Sequence, residues 1–158
     1  MTAGHHNLNG LHSRKMCSTH GRLDCVEERE GMAEEKNFEN RVKKFLKDQG
    51  CWFIKYWGGA AYTKSGIPDL LVCCNGNFLG VELKGPKGEP SDLQLCKLRE
   101  IEKAGGYAIL LFPDDFQVFK DFIIGLNYGF TEAKIASRTY TYLLKPRWKH
   151  FENKRKGE

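Results

Sequence analysis

Two residues, Asn75-Gly76, constrain the fold of this chain more than any others. They separate the run Leu70-Leu71-Val72-Cys73-Cys74 from the run Asn77-Phe78-Leu79-Gly80-Val81-Glu82-Leu83. Asn-Gly between two apolar runs is the strongest short-range hairpin signal, because a type I′ turn needs φ > 0 at both central positions. With Cys74 paired to Asn77, partner numbers sum to 151, which puts Asp69 opposite Glu82 and Ile67 opposite Lys84. Directly opposed residues share a face, with Cβ atoms roughly 4.5–5.5 Å apart. Two like charges at that separation destabilise a sheet unless something positive lies between them. A hard divalent cation such as Mg²⁺ suits, since it takes carboxylate oxygens and keeps several waters. Lys84, two residues beyond Glu82, projects from the same face.

The flanking sequence supplies elements to pack around such a hairpin. From Glu34 to Asp48, Phe38, Val42, Phe45 and Leu46 recur at helical spacing, with Glu39 at the border of their stripe and Gly50 closing the segment. Residues 51–57, Cys-Trp-Phe-Ile-Lys-Tyr-Trp, read as a strand, with Trp52, Phe53 and Trp57 expected in the core rather than free to stack on bases. Gly58 to Gly66 reads as a flexible loop, and Pro68 is tolerated at a strand's start. After the loop Gly85 to Pro90, Ser91 is placed to N-cap a helix through Leu93, Cys96, Leu98, Ile101 and Ala104, ended by Gly105-Gly106. Tyr107 to Phe112 is a continuous apolar run, expected as a central buried strand. Pro113-Asp114-Asp115 then opens a helix through Phe116, Phe119, Phe122 and Ile123 to about Leu126. The order α-β-β-β-α-β-α predicts an α/β fold, a mixed β-sheet flanked by helices. The helical crossover makes the last strand parallel to a core strand.

Residues 1–31 lack a sustained apolar period and are rich in Gly, His, Asn and Ser, so they are expected to be mostly disordered. The folded domain is expected over 32–126, with a basic extension over 127–158. No apolar run approaches the ~18 residues of a membrane span, and no signal-peptide core is evident. Six cysteines without a secreted-framework spacing read as reduced thiols of an intracellular, cytoplasmic protein. Cys17, His20 and Cys25 match no closed zinc pattern. Lys and Arg number 4 against 4 acids in 1–31, 13 against 13 in 32–126, and 8 against 3 in 127–158, so the whole excess of +5 lies in the last segment. Such a tail is either a solvated end or an arm, carrying Arg147 and Lys149 among others, that meets phosphates.

Gly66-Ile67-Pro68-Asp69, the thirteen-residue step to Glu82-Leu83-Lys84, a preceding helix with Glu39 and a following helix with Gln94 together resemble the PD-(D/E)XK nuclease superfamily. The likeness is nearest to its small VRR-NUC branch, which includes stand-alone phage and bacterial nucleases, and it covers about residues 34–126. The resemblance implies a restriction-endonuclease-like core and a metal-dependent DNA endonuclease. Asp69, Glu82 and the Leu83 backbone carbonyl would hold Mg²⁺ or Mn²⁺, with Glu39 as a further ligand, direct or through water. The cation would polarise the phosphate and acidify a water. Lys84 would hold that water or offset charge on the pentavalent phosphorus. The family also suggests branched DNA, such as four-way junctions, as substrate, and symmetric cleavage would need a homodimer.

Each assignment has a structural rival. Asp69 could cap a strand start, and Glu82 with Lys84 could be charges on a solvated face. Gln94 completes an S-x-x-Q capping box with Ser91, which explains it as well as support of an active site does. Lys64, Ser65 and Tyr62 precede the hairpin where they could meet a phosphate or a base, and Lys87 follows it. The alternative at the level of function is a nucleic-acid-binding module on the same fold that does not cleave.

Overall fold

The hairpin closes as its turn residues require. Asn75 and Gly76 both take positive φ, 46° and 78°. Strand β2 (Leu70–Cys74) pairs antiparallel with β3 (Asn77–Leu83) in the expected register, Cys74 with Asn77 and Leu70 with Val81. The computed structural model describes residues 20–57, 64–128, 140 and 145–157. Around the hairpin lie β1 (Trp52–Lys55), antiparallel to β2, and β4 (Tyr107–Leu111), parallel to β3, giving the order β1-β2-β3-β4. Helix α1 (His20–Asp48) precedes the sheet, α2 (Asp92–Lys103) joins β3 to β4, and α3 (Phe116–Asn127) follows β4 after a 3-10 turn at Pro113–Asp115. The result is the expected α/β fold with a mixed sheet between helices.

Strand alternation sorts the core into two layers. On one face Leu70, Val72, Cys74, Leu79, Val81, Leu83, Ile109 and Leu111 pack with Phe38, Val42 and Leu46 of α1 and Phe116, Phe119, Phe122 and Ile123 of α3. On the other face Ala108 and Leu110 pack with Leu95 and Leu98 of α2. A further helix, α4 (Lys145–Lys156), completes this second layer by burying Trp148 to 1 % exposure beside Phe112, with Phe151 stacked on the Phe112 ring.

Several boundaries differ from the sequence reading. α1 begins at His20, so the described part of 1–31 is helical; residues 22–30 are mostly Leu, Glu, Arg and other residues compatible with a helix. The segment after 126 is not a bare extension, because α4 belongs to the core. Three of its cations reach acids across the fold: Arg147 to Asp115, Arg155 to Asp92 and Lys154 to Glu89, while Arg99 of α2 reaches back to Glu152. β4 is not central but ends the row of described strands. Tyr140 covers its outer edge: the phenolic hydroxyl accepts the Ala108 N–H at 3.1 Å and donates to the Ala108 carbonyl at 3.2 Å. Burial pushes that hydroxyl's pKa up to about 12. Trp52 and Trp57 are exposed rather than core, and only Phe53 packs partly against it. β1 lies at the sheet's other end, so one face of its side chains is left to solvent.

Candidate active site

Antiparallel and parallel pairings bring five chain segments to one end of the sheet: the end of β1, the start of β2, the ends of β3 and β4, and the N-terminus of α2. Asp69 and Glu82 meet there, one step beyond the last paired residues of the hairpin. The Asp69 carbonyl accepts the Tyr56 N–H at 2.8 Å, extending the β1–β2 ladder, and its carboxylate Oδ2 accepts the Leu83 N–H at 2.9 Å. The acid that precedes β2 is thus locked to the end of β3.

Glu82 is the buried charged side chain of the described core, 1 % exposed. Its Oε1 accepts from the Lys84 ammonium at 2.7 Å and from the Gln94 amide. Its Oε2 is buried with no partner among the described residues. Burial, reinforced by the Asp69 carboxylate, pushes Glu82 up to about 7 despite the nearby Lys84. Burial also raises Asp69, and Glu35 adds to this, while the Leu83 N–H and the charges of Lys84 and Lys55 pull it down. Two carboxylates that resist ionisation beside each other, one with a buried free oxygen, suit a cation. Among the described residues no three His, Cys, Asp or Glu side chains gather as a metal group. A divalent ion bound here would complete its shell from backbone oxygen and water, as Mg²⁺ readily does.

Gln94 resolves its two rival readings by doing both. Its Oε1 accepts the Ser91 N–H at 2.7 Å while the Ser91 hydroxyl accepts the Gln94 N–H, a complete capping box. Its Nε2 donates to Glu82. The cap fixes the amide plane, and the other end of that plane orients the carboxylate. α2 can start so close to the site because Gly66, at φ +79°, leaves room: a Cβ there would lie 2.8 Å from the Leu93 backbone.

Glu39 is not brought to Glu82. Burial alone would raise its pKa, but it is held low by two ammoniums, Lys43 at 2.6 Å and Lys55. Lys55 connects it electrostatically to Asp69. Glu35, one helical turn earlier, comes nearer: its Oε2 accepts the Gly85 N–H at 3.0 Å, just past Lys84. Sequence reading missed Glu35 and Lys55. Glu35 shares α1's inward stripe with Glu39 at i−4, a signal that was present; Lys55 needed the β1–β2 register, which no turn signature announces.

Of the expected nucleic-acid contacts, Lys64 and Ser65 are exposed at the entrance to β2, with the Lys64 carbonyl accepting from the Tyr56 hydroxyl at 3.2 Å. Exposed Lys87 lines an open groove of about 670 Å³ with Glu30, Glu34, Glu35 and Gly85. Arg147 is engaged on the fold's surface, half-exposed, its guanidinium on both oxygens of Asp115 at 2.8 and 3.1 Å and over the Phe112 ring. Lys149 stays exposed, its ammonium over Trp148. Tyr62 lies outside the described residues.

No helix among the described residues is long and apolar enough to cross a membrane. No curated protein and no solved structure matches the chain. One family model does match, that of the archaeal Holliday junction resolvase (Hjc), over residues 28–111. That span is 84 of 158 residues and runs from α1 to the end of β4, taking in Asp69, Glu82, Lys84 and Gln94. The likeness to the VRR-NUC branch is no part of this match. With more than half its length matched, and with the acidic pair on the matched hairpin, the chain belongs to the archaeal Holliday junction resolvase family, a nuclease family of the PD-(D/E)XK type.

Proposed function

We propose that this chain is a metal-dependent endonuclease that cuts four-way DNA junctions as a homodimer, each subunit hydrolysing one strand. The observation that carries the reading is Glu82: a fully buried carboxylate clamped by Lys84 and Gln94 through one oxygen, with the other oxygen unpartnered among the described residues, beside Asp69. A protein that only bound DNA would have no reason to bury this charge against a second acid.

Asp69, Glu82 and the Leu83 carbonyl are the groups that would hold Mg²⁺ or Mn²⁺. When bound, the ion supplies Lewis acidity toward the scissile phosphate and the attacking water. The chain's own contributions are positioning and charge. The Leu83 N–H keeps Asp69 in place, Gln94 keeps Glu82 from rotating, and Lys84 places an ammonium beside the reacting phosphate, where it stabilises charge in a partly dry site. We assign Glu39 to holding Lys55 next to Asp69, since its carboxylate is already committed to two lysines. A junction has two-fold symmetry, so paired incisions call for two copies of the site.

The test uses a fixed four-way junction and a linear duplex of the same sequence with Mg²⁺, Mn²⁺ or EDTA. Paired nicks across the junction are expected with metal and none with EDTA. Lys84→Ala should bind the junction and the metal yet lose cleavage by about 10²-fold or more, the scale of one electrostatic group. Junction binding in EDTA with no cutting in either metal would make the chain a binding module instead.

A further inference from the structure

Trp57 stands at the same end of the sheet as the acidic pair, and the proposed reaction gives it no task. Its neighbour Tyr56 donates its N–H to the Asp69 carbonyl, so Trp57 begins where the β1–β2 ladder stops beside the site. The ring is 72 % exposed, an unusual state for an indole. It is also supported from below: the Lys55 ammonium sits 4.5 Å from the ring centroid and is itself anchored by Glu39. Lys55 is largely shielded, and its charge acts on Asp69. The sequence Trp57–Lys55–Glu39 thus holds a flat, largely exposed aromatic surface at the acidic pair's end of the sheet.

We infer that Trp57 is a stacking platform for an unpaired nucleobase beside the cleaved phosphate, a contact that branched DNA offers and continuous duplex does not. This rests on the junction-cutting reading above. Duplex interiors present no free base face. At a branch point, stacking is interrupted and a base can turn out onto an aromatic side chain. A cation held against the far face of the indole lets the ring bind a base without first being ordered, which lowers the entropic cost of the contact. Trp52, the other exposed tryptophan, points from the opposite face of β1 and lies toward the far end of the strand.

The experiment measures binding in EDTA, apart from cleavage, by anisotropy of a labelled four-way junction and of a matched linear duplex. Trp57→Ala and Trp57→Leu are both expected to weaken junction binding about 5- to 100-fold, the span of base–aromatic stacking, with duplex binding unchanged. Trp57→Phe should recover most of the junction affinity. Leu keeps an apolar cover over Lys55 but cannot stack, so it separates a nucleobase contact from simple shielding of the lysine. In a Trp52→Phe background, junction should quench the indole emission, and adding Trp57→Phe should remove the quenching. Wild-type affinity in Trp57→Leu, or equal losses on junction and duplex, would overturn the stacking role. Wild-type cleavage of the junction alongside that result leaves the nuclease reading standing, whereas absence of junction binding by the wild-type protein overturns both.

Discussion

Replacing Glu82 by Gln should make the metal-free protein more stable above neutral pH, and the size of the effect follows from the site. Glu82 is shifted from an ordinary 4.5 to about 7 by burial and by Asp69. A raised acid contributes full stability below its unfolded value, and loses it as the pH climbs toward the folded one. The wild-type protein in EDTA should therefore weaken between about pH 4.5 and pH 7 and stay level beyond. A gap of about 2.5 units at ~1.4 kcal/mol each is about 3 kcal/mol, with the raised Asp69 acting in the same direction. Gln keeps a carbonyl for Lys84 and Gln94 but cannot ionise; about 1 kcal/mol of that loss is already incurred by pH 5, which leaves a separation of about 2 kcal/mol opening between pH 5 and pH 8. For a chain of this size that is a rise of roughly 4–8 °C in Tm. Urea and thermal melts of both proteins in EDTA at pH 5 and pH 8 are the assay. The two should nearly coincide at pH 5 and separate at pH 8. Mg²⁺ added at pH 8 should then raise the wild type toward the variant, because a ligand bound only by the native state stabilises by mass action. A difference that is the same at both pH values, or a variant less stable at pH 8, would refute the account of the acidic pair.

Two further substitutions probe the supports of the site. Trp148→Ala should cost about 3–5 kcal/mol in urea melts, as for other large aromatic deletions in a core, whereas Trp148→Phe should cost much less because the buried indole N–H has no partner among the described residues; a near-neutral Trp148→Ala would return residues 145–156 to the status of a solvated tail. Gly66→Ala should destabilise by about 1–2 kcal/mol from the left-handed backbone alone, and the 2.8 Å approach to Leu93 should also push α2 and Gln94 away from Glu82 and lower the cleavage rate; wild-type melting and cleavage would show that the close approach carries no weight.

The hairpin could be read from sequence because its turn chemistry fixes register, and register fixes which residues oppose each other. That alone delivered Asp69, Glu82 and Lys84. The capping box was equally legible, although only the structure reveals that the two ends of one amide satisfy both of its readings. β1 was recognisable as a strand, yet its side chains were misplaced. A strand's propensity is the same at a sheet's edge and centre, and the long connection from Tyr56 to Asp69 sets no register, so the exposure of Trp57 and the reach of Lys55 stayed hidden. α4 escaped for a different reason. Its apolar anchors are few, Trp148 and Phe151 among many charges, and that composition is the same whether a segment floats or folds back on its own ion-pair partners. Glu39 marks the limit of analogy: the helix and the acid were found, but two lysines decide what that acid does.

The Tyr140 hydroxyl bears on what the edge of this sheet can pair with. Among the described strands β4 ends the row, and such a rim accepts an extended strand through main-chain pairing, regardless of that strand's side chains. A single phenol, donating and accepting at Ala108, occupies one of the rungs such a strand would use. One hydroxyl thereby occupies that rung, and with a pKa raised to about 12 it stays protonated well beyond the physiological range. At this rung association is left to side-chain surfaces, which can be selective, and is withheld from the backbone, which cannot. This turns one rung of an adhesive border into a closed one.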